Sequence, residues 1–216
     1  MAGNRVLLWR HGQTDWNLIN RFQGHSDIPL NDVGRFQAQR SAQILAGMSP
    51  TAIISSDLGR ARETAQALAN LVGLPVTTDE KLRETNGGLW EGKTGVENRA
   101  DDFQNFIRWI DGDDNPAGTT GEKRSEVATR AVDVIKKTLD GKSDQLLIVA
   151  THGGTARCVL GSLLQLPLSH WGVIGGLSNA SWSILERNPR QWNLIEHNAG
   201  SIPEPVYGEE SGATTP

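Results

Sequence analysis

Two histidines in this sequence each follow an apolar run and precede a glycine: His11 after Val6-Leu7-Leu8-Trp9-Arg10, and His152 after Leu146-Leu147-Ile148-Val149-Ala150-Thr151. Neutral imidazole is a nucleophile near its ordinary pKa of about 6.5, and arginine matches phosphate oxygens in pairs. Arg10 adjoins His11, and Arg60 closes Ser56-Asp57-Leu58-Gly59-Arg60, which follows a third run of strand-like residues, Thr51 to Ser56. Taken singly, each is weak, because a strand-end histidine that caps a turn leaves the same tripeptide. Together they bring two imidazoles and two guanidiniums to one place. Such a cationic cluster suits an anion with several oxygens, phosphate first, and the amides of Gly12 and Gly153 are candidate extra donors. Glu84, after the next strand pattern, adds a carboxyl that can protonate a leaving alkoxide and then take a proton from water.

Positioning these groups requires the three runs to be neighbouring parallel strands, whose carboxyl ends form the ligand crevice of an open α/β sheet. The intervening patterns predict helices over 14–19, 32–46 (N-cap Asn31; apolar face Val33, Phe36, Ala42, Ile44 and Leu45), 60–72 (stopped by Gly73 and Pro75), 103–110, 122–139 and 155–166. Pro75 to Thr78 reads as a short strand, 82–92 as irregular, and Asp111 to Gly121 as a polar surface loop. Ala180 to Leu185 and Gln191 to Glu196 alternate around Asn188-Pro189-Arg190, predicting a hairpin at the sheet edge. The expected fold is three-layer α/β/α with a mainly parallel sheet and an antiparallel edge. One domain over 1–199 is expected, with an aperiodic, disordered tail over 200–216.

Twenty-one basic against 25 acidic residues, net −4, leave no positive field for nucleic acid. No apolar run reaches the ~18 residues of a membrane span, and the N-terminus lacks a signal-peptide pattern, so the expectation is a soluble cytoplasmic protein with no membrane partner. The single cysteine, Cys158, excludes an intramolecular disulfide and fits a packing role. The seven tryptophans are scattered, which suggests core and pocket lining. A homodimer stays open. Gly87-Gly88-Leu89-Trp90-Glu91-Gly92-Lys93-Thr94 satisfies the P-loop pattern, but no apolar strand precedes it, and Glu91 would repel phosphate. Gly176-Leu177-Ser178-Asn179-Ala180 precedes a strand, whereas a nucleophile elbow follows one. Two arginines argue against a metal on His11, His152 and Glu84 or Asp57. His25, His170 and His197 have no inferred convergent partners, although His25 lies in a loop within reach of a substrate.

Arg10-His11-Gly12, the Ser-Asp-Leu-x-Arg-Ala-x-x-Thr-Ala segment from Ser56 to Ala65, Leu82-Arg83-Glu84, and the strand ending in His152-Gly153 resemble, in order from about residue 5 to 198, the histidine phosphatase superfamily, the phosphoglycerate mutase-like fold. The resemblance implies that His11 becomes phosphorylated, that Arg10, Arg60 and His152 bind the transferring phosphoryl group with Asn17 as a further donor, that Glu84 is the acid/base, and that Gln23-Gly24 line the leaving-group side. It implies a metal-independent phosphomonoesterase acting on a small phosphorylated metabolite, with no cofactor. Thr120-Gly121-Glu122-Lys123 departs from the family's Gly-Gly-Glu-Ser, which removes a serine cap or contact. Glu84 to Gly92 looks like the phosphatase branch, and Gly175 to Trp182 is similar to actinobacterial phosphatases acting on glucosyl-3-phosphoglycerate. The rival within the family is a cofactor-dependent phosphoglycerate mutase; outside enzymes, it is a non-catalytic phospholigand-binding module. The stretch after Glu84 and the 111–121 loop read as too little chain for a closed lid, which favours hydrolysis.

Overall fold

The computed structural model describes residues 3–200, so the expectation for the tail beyond 200 lies outside the described residues. β1 (Arg5–Arg10) runs through the middle of a six-stranded sheet and is buried from Val6 onward. After it come α1 (Asp15–Leu18), α2 (Asp32–Ala46), β2 (Ala52–Ser55), α3 (Gly59–Val72), β3 (Val76–Thr78), α4 (Gly95–Asp101), α5 (Phe103–Ile110), α6 (Arg124–Leu139), β4 (Leu146–Thr151), α7 (Gly153–Leu163), β5 (Trp182–Arg187) and β6 (Trp192–Ala199). The strand order is β3-β2-β4-β1-β5-β6. The first four are mutually parallel, and β5 and β6 add the antiparallel edge.

Both faces of the inner strands are apolar because both are covered. Val6 and Leu8 of β1, with Leu147 and Val149 of β4, pack beneath α6 and α7. Leu7 and Trp9, with Ile148 and Ala150, pack beneath α2 and α3. That is why these strands read as continuous apolar runs instead of alternating ones. The register sets Arg10 opposite Thr151, and Ser55 opposite Ala150, so β1, β4 and β2 end side by side at one edge.

α2 has the expected bounds and Asn31 cap, with Asn31 Oδ1 accepting from Gly34 N at 2.8 Å. Its buried face differs from the expectation. Gly34, Ala38, Ser41, Ala42 and Leu45 face inward, whereas Val33, Phe36 and Ile44 are exposed. Small side chains near its start let α2 approach the loop after β1, Leu45 reaches the core at its end, and Val33, Phe36 and Ile44 stay outside. α3 ends at Gly73, whose φ of 71° is the left-handed cap. α7 begins at Gly153, two residues before the expected start, and ends at Leu163, three before the expected end. Cys158 is buried against Val127, Ala128 and Trp171, a packing role. Among the described residues no helix is long and apolar enough to cross a membrane.

The stretch from 79 to 123 holds the expected helix at the expected bounds, α5, but the segments on either side of it are more ordered than expected. α4 was not expected, because its Val96 is two-thirds exposed and carries no apolar stripe. Its signal was the capping box: Glu97 N donates to Thr94 Oγ1 at 3.2 Å, and Thr94 N to Glu97 Oε2 at 2.7 Å. Phe22, Trp90, Phe106, Trp109 and Ala117 form a separate apolar cluster, so part of the 111–121 loop is buried. Leu89 N to Gly118 O at 3.1 Å and Glu122 N to Asn86 O at 2.9 Å tie this flanking lobe together. The chain therefore has material for a structured wall beside the site, and shortage of chain is no argument for hydrolysis. Within it, Gly88–Trp90 is a 3₁₀ turn and Glu91 accepts from the amides of His25, Ser26 and Gly87 at 2.9, 3.1 and 3.0 Å, an arrangement unlike a P-loop.

Candidate active site

His11 and His152 leave the adjacent ends of β1 and β4, and their rings meet edge to face with centroids 5.2 Å apart. Both are buried, as are Arg10 and Arg60. His11 Nδ1 lies 2.7 Å from Gly12 O, which fixes the proton on Nδ1 and leaves the Nε2 lone pair for attack. The backbone of His11 is braced on both sides: its N–H donates to Thr151 O at 3.0 Å, and its carbonyl accepts from Ala180 N at 3.1 Å and Asn179 Nδ2 at 3.2 Å. Arg10 Nη1 donates to Leu177 O at 2.6 Å. Arg60, fully buried in the first turn of α3, donates from Nη1 to Ser26 O at 2.7 Å and from Nη2 to Gly24 O at 2.9 Å. Both ring nitrogens of His152 and Nε of Arg10 are buried without a hydrogen-bond partner among the described residues. Buried polar groups are rarely left so, and a cluster of this kind has the chemistry to take an anion with several oxygens.

Glu84 reaches the same place. Its Oε1 accepts from Thr85 N at 2.8 Å and Thr155 N at 2.9 Å, with Thr155 Oγ1 at 3.3 Å, and its Oε2 accepts from Gly154 N at 3.0 Å. The carboxyl group thus sits on the N-terminus of α7, at the amides two and three residues beyond His152.

The remaining expected residues divide. Asn17 Oδ1 accepts from Thr14 N and Oγ1, both at 3.0 Å, and from Asn179 Nδ2 at 3.2 Å. Gln23 is fully buried in the loop that holds Arg60. Gly24 has a φ of 51°, and a Cβ there would meet Glu91 Oε1 at 2.1 Å; its carbonyl is one of the two that hold Arg60. Gly153, first residue of α7, lies against the Arg10 side chain, and its amide is not among those that bind Glu84. The Gly12 N–H, expected to face the ligand, donates instead to Thr64 Oγ1 at 3.2 Å. The glycine is needed for close approach, since a Cβ would fall 2.2 Å from Gly34 O. Asp57 is bound by Arg83, Nε to Oδ1 at 2.8 Å.

Sequence reasoning missed Thr64, Thr155 and Asn179. Thr64 follows Arg60 by one helical turn and donates to its carbonyl at 2.8 Å; Thr155 follows His152 by three residues; Asn179 lies in the segment before β5. The first two spacings put both threonines on the site side of helices whose starts were already expected, which was the available signal. His25 is drawn to the site's edge, with Nε2 2.9 Å from Glu84 O. His197 is held by Ser183 Oγ at 2.9 Å and Gly175 O at 2.9 Å, away from the two catalytic candidates.

Burial, then Arg60 and Arg10, hold the His11 imidazole well below its usual pKa, with the Gly12 carbonyl pulling weakly the other way. Burial, then Arg60, His11, Arg130 and Arg10, do the same to His152. Both rings are therefore neutral at pH 7. Because the unfolded chain binds protons near pH 6.5 and the folded chain binds them only at lower pH, this stability is fully present above about 6.5 and is lost as pH falls, by up to about 1.4 kcal/mol per pH unit per ring. Denaturant titrations from pH 7.5 to 5 should show that loss. A His11→Asn/His152→Asn variant should show a shallower slope, and an unchanged slope would place the acid sensitivity elsewhere.

The model of the histidine phosphatase superfamily (branch 1) matches residues 6–200. The chain is 39% identical over 197 residues to glucosyl-3-phosphoglycerate phosphatase of Mycolicibacterium vanbaalenii, covering 88% of this chain and 87% of that protein. It is 34% identical over 188 residues to a probable phosphoglycerate mutase of Yersinia pestis, covering 87% of each. A structure of mycobacterial glucosyl-3-phosphoglycerate phosphatase complexed with VO3 superposes with a TM-score of 0.85 at 36% identity, covering 91% of this chain and 99% of that one. Matched across its sheet, its strand-end motifs and its antiparallel edge, this chain belongs to branch 1 of the histidine phosphatase superfamily.

Proposed function

We propose that the protein hydrolyses phosphate monoesters through a phosphohistidine on His11, without a metal, and that glucosyl-3-phosphoglycerate is its preferred ester. The observation that carries this reading is the His11 ring itself: proton on Nδ1 toward Gly12 O, Nε2 open, and a neutral form favoured by burial and two guanidiniums. In the first step His11 Nε2 attacks phosphorus, the P–O ester bond breaks, and Glu84 gives a proton to the departing alcohol oxygen. In the second, Glu84 takes a proton from water, the hydroxide attacks phosphorus, and the P–N bond breaks to return His11 and release phosphate. Arg10, Arg60 and His152 hold the phosphoryl oxygens, where charge spreads in a loose transition state. Asn17 Nδ2 and Gly153 N–H add donors, and Gln23 and Gly24 line the leaving-group side. The two guanidiniums would repel a divalent cation. The reduced, buried Cys158 suits a cytoplasmic setting.

The choice of ester is supported by the 39% identical phosphatase, and the rival mutase reading by the 34% identical probable mutase. A panel separates them. Given 3-phosphoglycerate with a 2,3-bisphosphoglycerate primer, the protein should release phosphate faster than it forms 2-phosphoglycerate, should act faster on glucosyl-3-phosphoglycerate, and should ignore chelator. Rapid isomerisation with negligible phosphate release would select the mutase, and activity lost to chelator and restored by a divalent metal would reverse the mechanism.

A further inference from the structure

The segment 81–86 carries Glu84 but belongs to no strand and no α-helix, so something other than a ladder must fix it. Arg130, from the middle of α6, does so with all five of its donors. Nη1 donates to Lys81 O at 2.6 Å and Arg83 O at 2.8 Å, and Nη2 to Glu84 O at 2.9 Å and Glu122 Oε2 at 2.9 Å. Nε donates to Glu122 Oε1 at 2.7 Å. Glu122 in turn grips the far side of Glu84, its Oε2 accepting from Asn86 N at 2.8 Å. Burial disfavours the Glu122 charge, but the Arg130 and Asn86 bonds outweigh it, so the carboxyl titrates below its usual range and the pair stays ionised.

We infer that Arg130 and Glu122 form a positioning pair for the reaction, setting where the Glu84 carboxyl stands relative to the leaving oxygen. The inference rests on the proposed acid/base role of Glu84. Glu84 is held from two directions, its side chain by the amides of α7 and its backbone by the guanidinium, with carbonyls on its N-terminal side and an amide on its C-terminal side. Only a planar fork with five fixed donors satisfies three carbonyls and a carboxylate at once, and a lysine ammonium has three donors and no fork. Proton transfer is sensitive to placement, and an error of about 1 Å can cost about 10²-fold. His25 shares the Glu84 carbonyl at 2.9 Å and stands 3.8 Å from Glu122, so it belongs to the same support.

A purely structural brace and a positioning pair differ in leaving-group dependence. An alkyl phosphate needs its oxygen protonated as it departs, whereas p-nitrophenyl phosphate, with its weakly basic leaving group, does not. Arg130→Gln is expected to lower kcat on glucosyl-3-phosphoglycerate about 30-fold or more, while the stopped-flow burst of p-nitrophenol slows less than about fivefold. Arg130→Lys should recover part of the alkyl-ester rate. Glu122→Gln, which keeps the side-chain shape, should show the same split in weaker form, and it stands in if Arg130→Gln does not fold. Glu84→Gln is the control. If Glu84→Gln shows the split and the Arg130 and Glu122 variants lower both substrates equally, or neither, the positioning role is overturned. If Glu84→Gln itself shows no split, the acid/base reading of Glu84 fails instead.

Discussion

His11→Ala is expected to abolish the covalent intermediate and to lower kcat on the order of 10⁵-fold, as loss of a nucleophile does when the rest of the site survives. The ring is buried and its Nδ1 is committed to the Gly12 carbonyl, so attack has one open nitrogen, Nε2. Holding that atom in line with the ester removes the entropic cost of a bimolecular encounter. His152 is not expected to substitute, because it leaves from the next strand with its ring set edge-on to His11, on the same side of any ester that His11 attacks. The measurement is direct. Enzyme mixed with labelled ester and quenched in base should retain label that acid removes, the signature of a phosphoramidate. His11→Ala should retain none, and label persisting in that variant would move the nucleophile to another residue. The substitution fills less space than the ring and breaks one local bond, so the fold should persist, and far-ultraviolet circular dichroism checks that.

The strand-borne part of the site was legible because position and chemistry coincide there. An apolar run that stops at Arg10-His11, another that stops at His152, and Arg60 one turn into a helix are all read along the chain, and parallel pairing then brings the ends together. What the sequence did not reveal is which donor meets which acceptor. The Gly12 amide was assigned to a ligand, yet Thr64 Oγ1 takes it, because α3 passes close enough once Gly12 packs on Gly34. The same holds for α2, whose periodicity was real but whose Val33, Phe36 and Ile44 lie on the outer face. Burial there is governed by how near α2 must come to the β1 loop, and small side chains win. Apart from α5, which was legible, the flanking lobe was read as loops because its elements are short and its apolar residues, Phe22, Trp90, Phe106, Trp109 and Ala117, are scattered over 96 positions. Such a cluster has no periodicity to detect. Arg130 was invisible for a related reason: it sits on a helix recognisable by its apolar face, and its function lies on the other side.

Arg60→Ala carries the other large expected effect, and it acts on both rate and stability. Its guanidinium is the leading charge felt by both His11 and His152 after burial itself, so it stands where a phosphoryl group would shed charge. Removing one preorganised donor of this kind costs roughly 3 kcal/mol of barrier, about 150-fold in kcat. The same side chain satisfies Gly24 O and Ser26 O, and leaving buried carbonyls unpaired costs about 1–3 kcal/mol each. Arg60→Lys keeps the charge without the fork, so it should fall between the wild type and the alanine variant on both counts. A third consequence separates the electrostatic role from simple damage. With Arg60 gone, less positive charge opposes protonation of the two rings, and the acid limb of the kcat/KM profile should move to higher pH, toward the ordinary histidine value of about 6.5. A variant weakened only by a disordered 24–26 turn would lose activity at every pH alike, leaving the limb where the wild type has it. A limb that stays put or moves to lower pH would therefore remove Arg60 from the charge balance of the site, however much activity is lost.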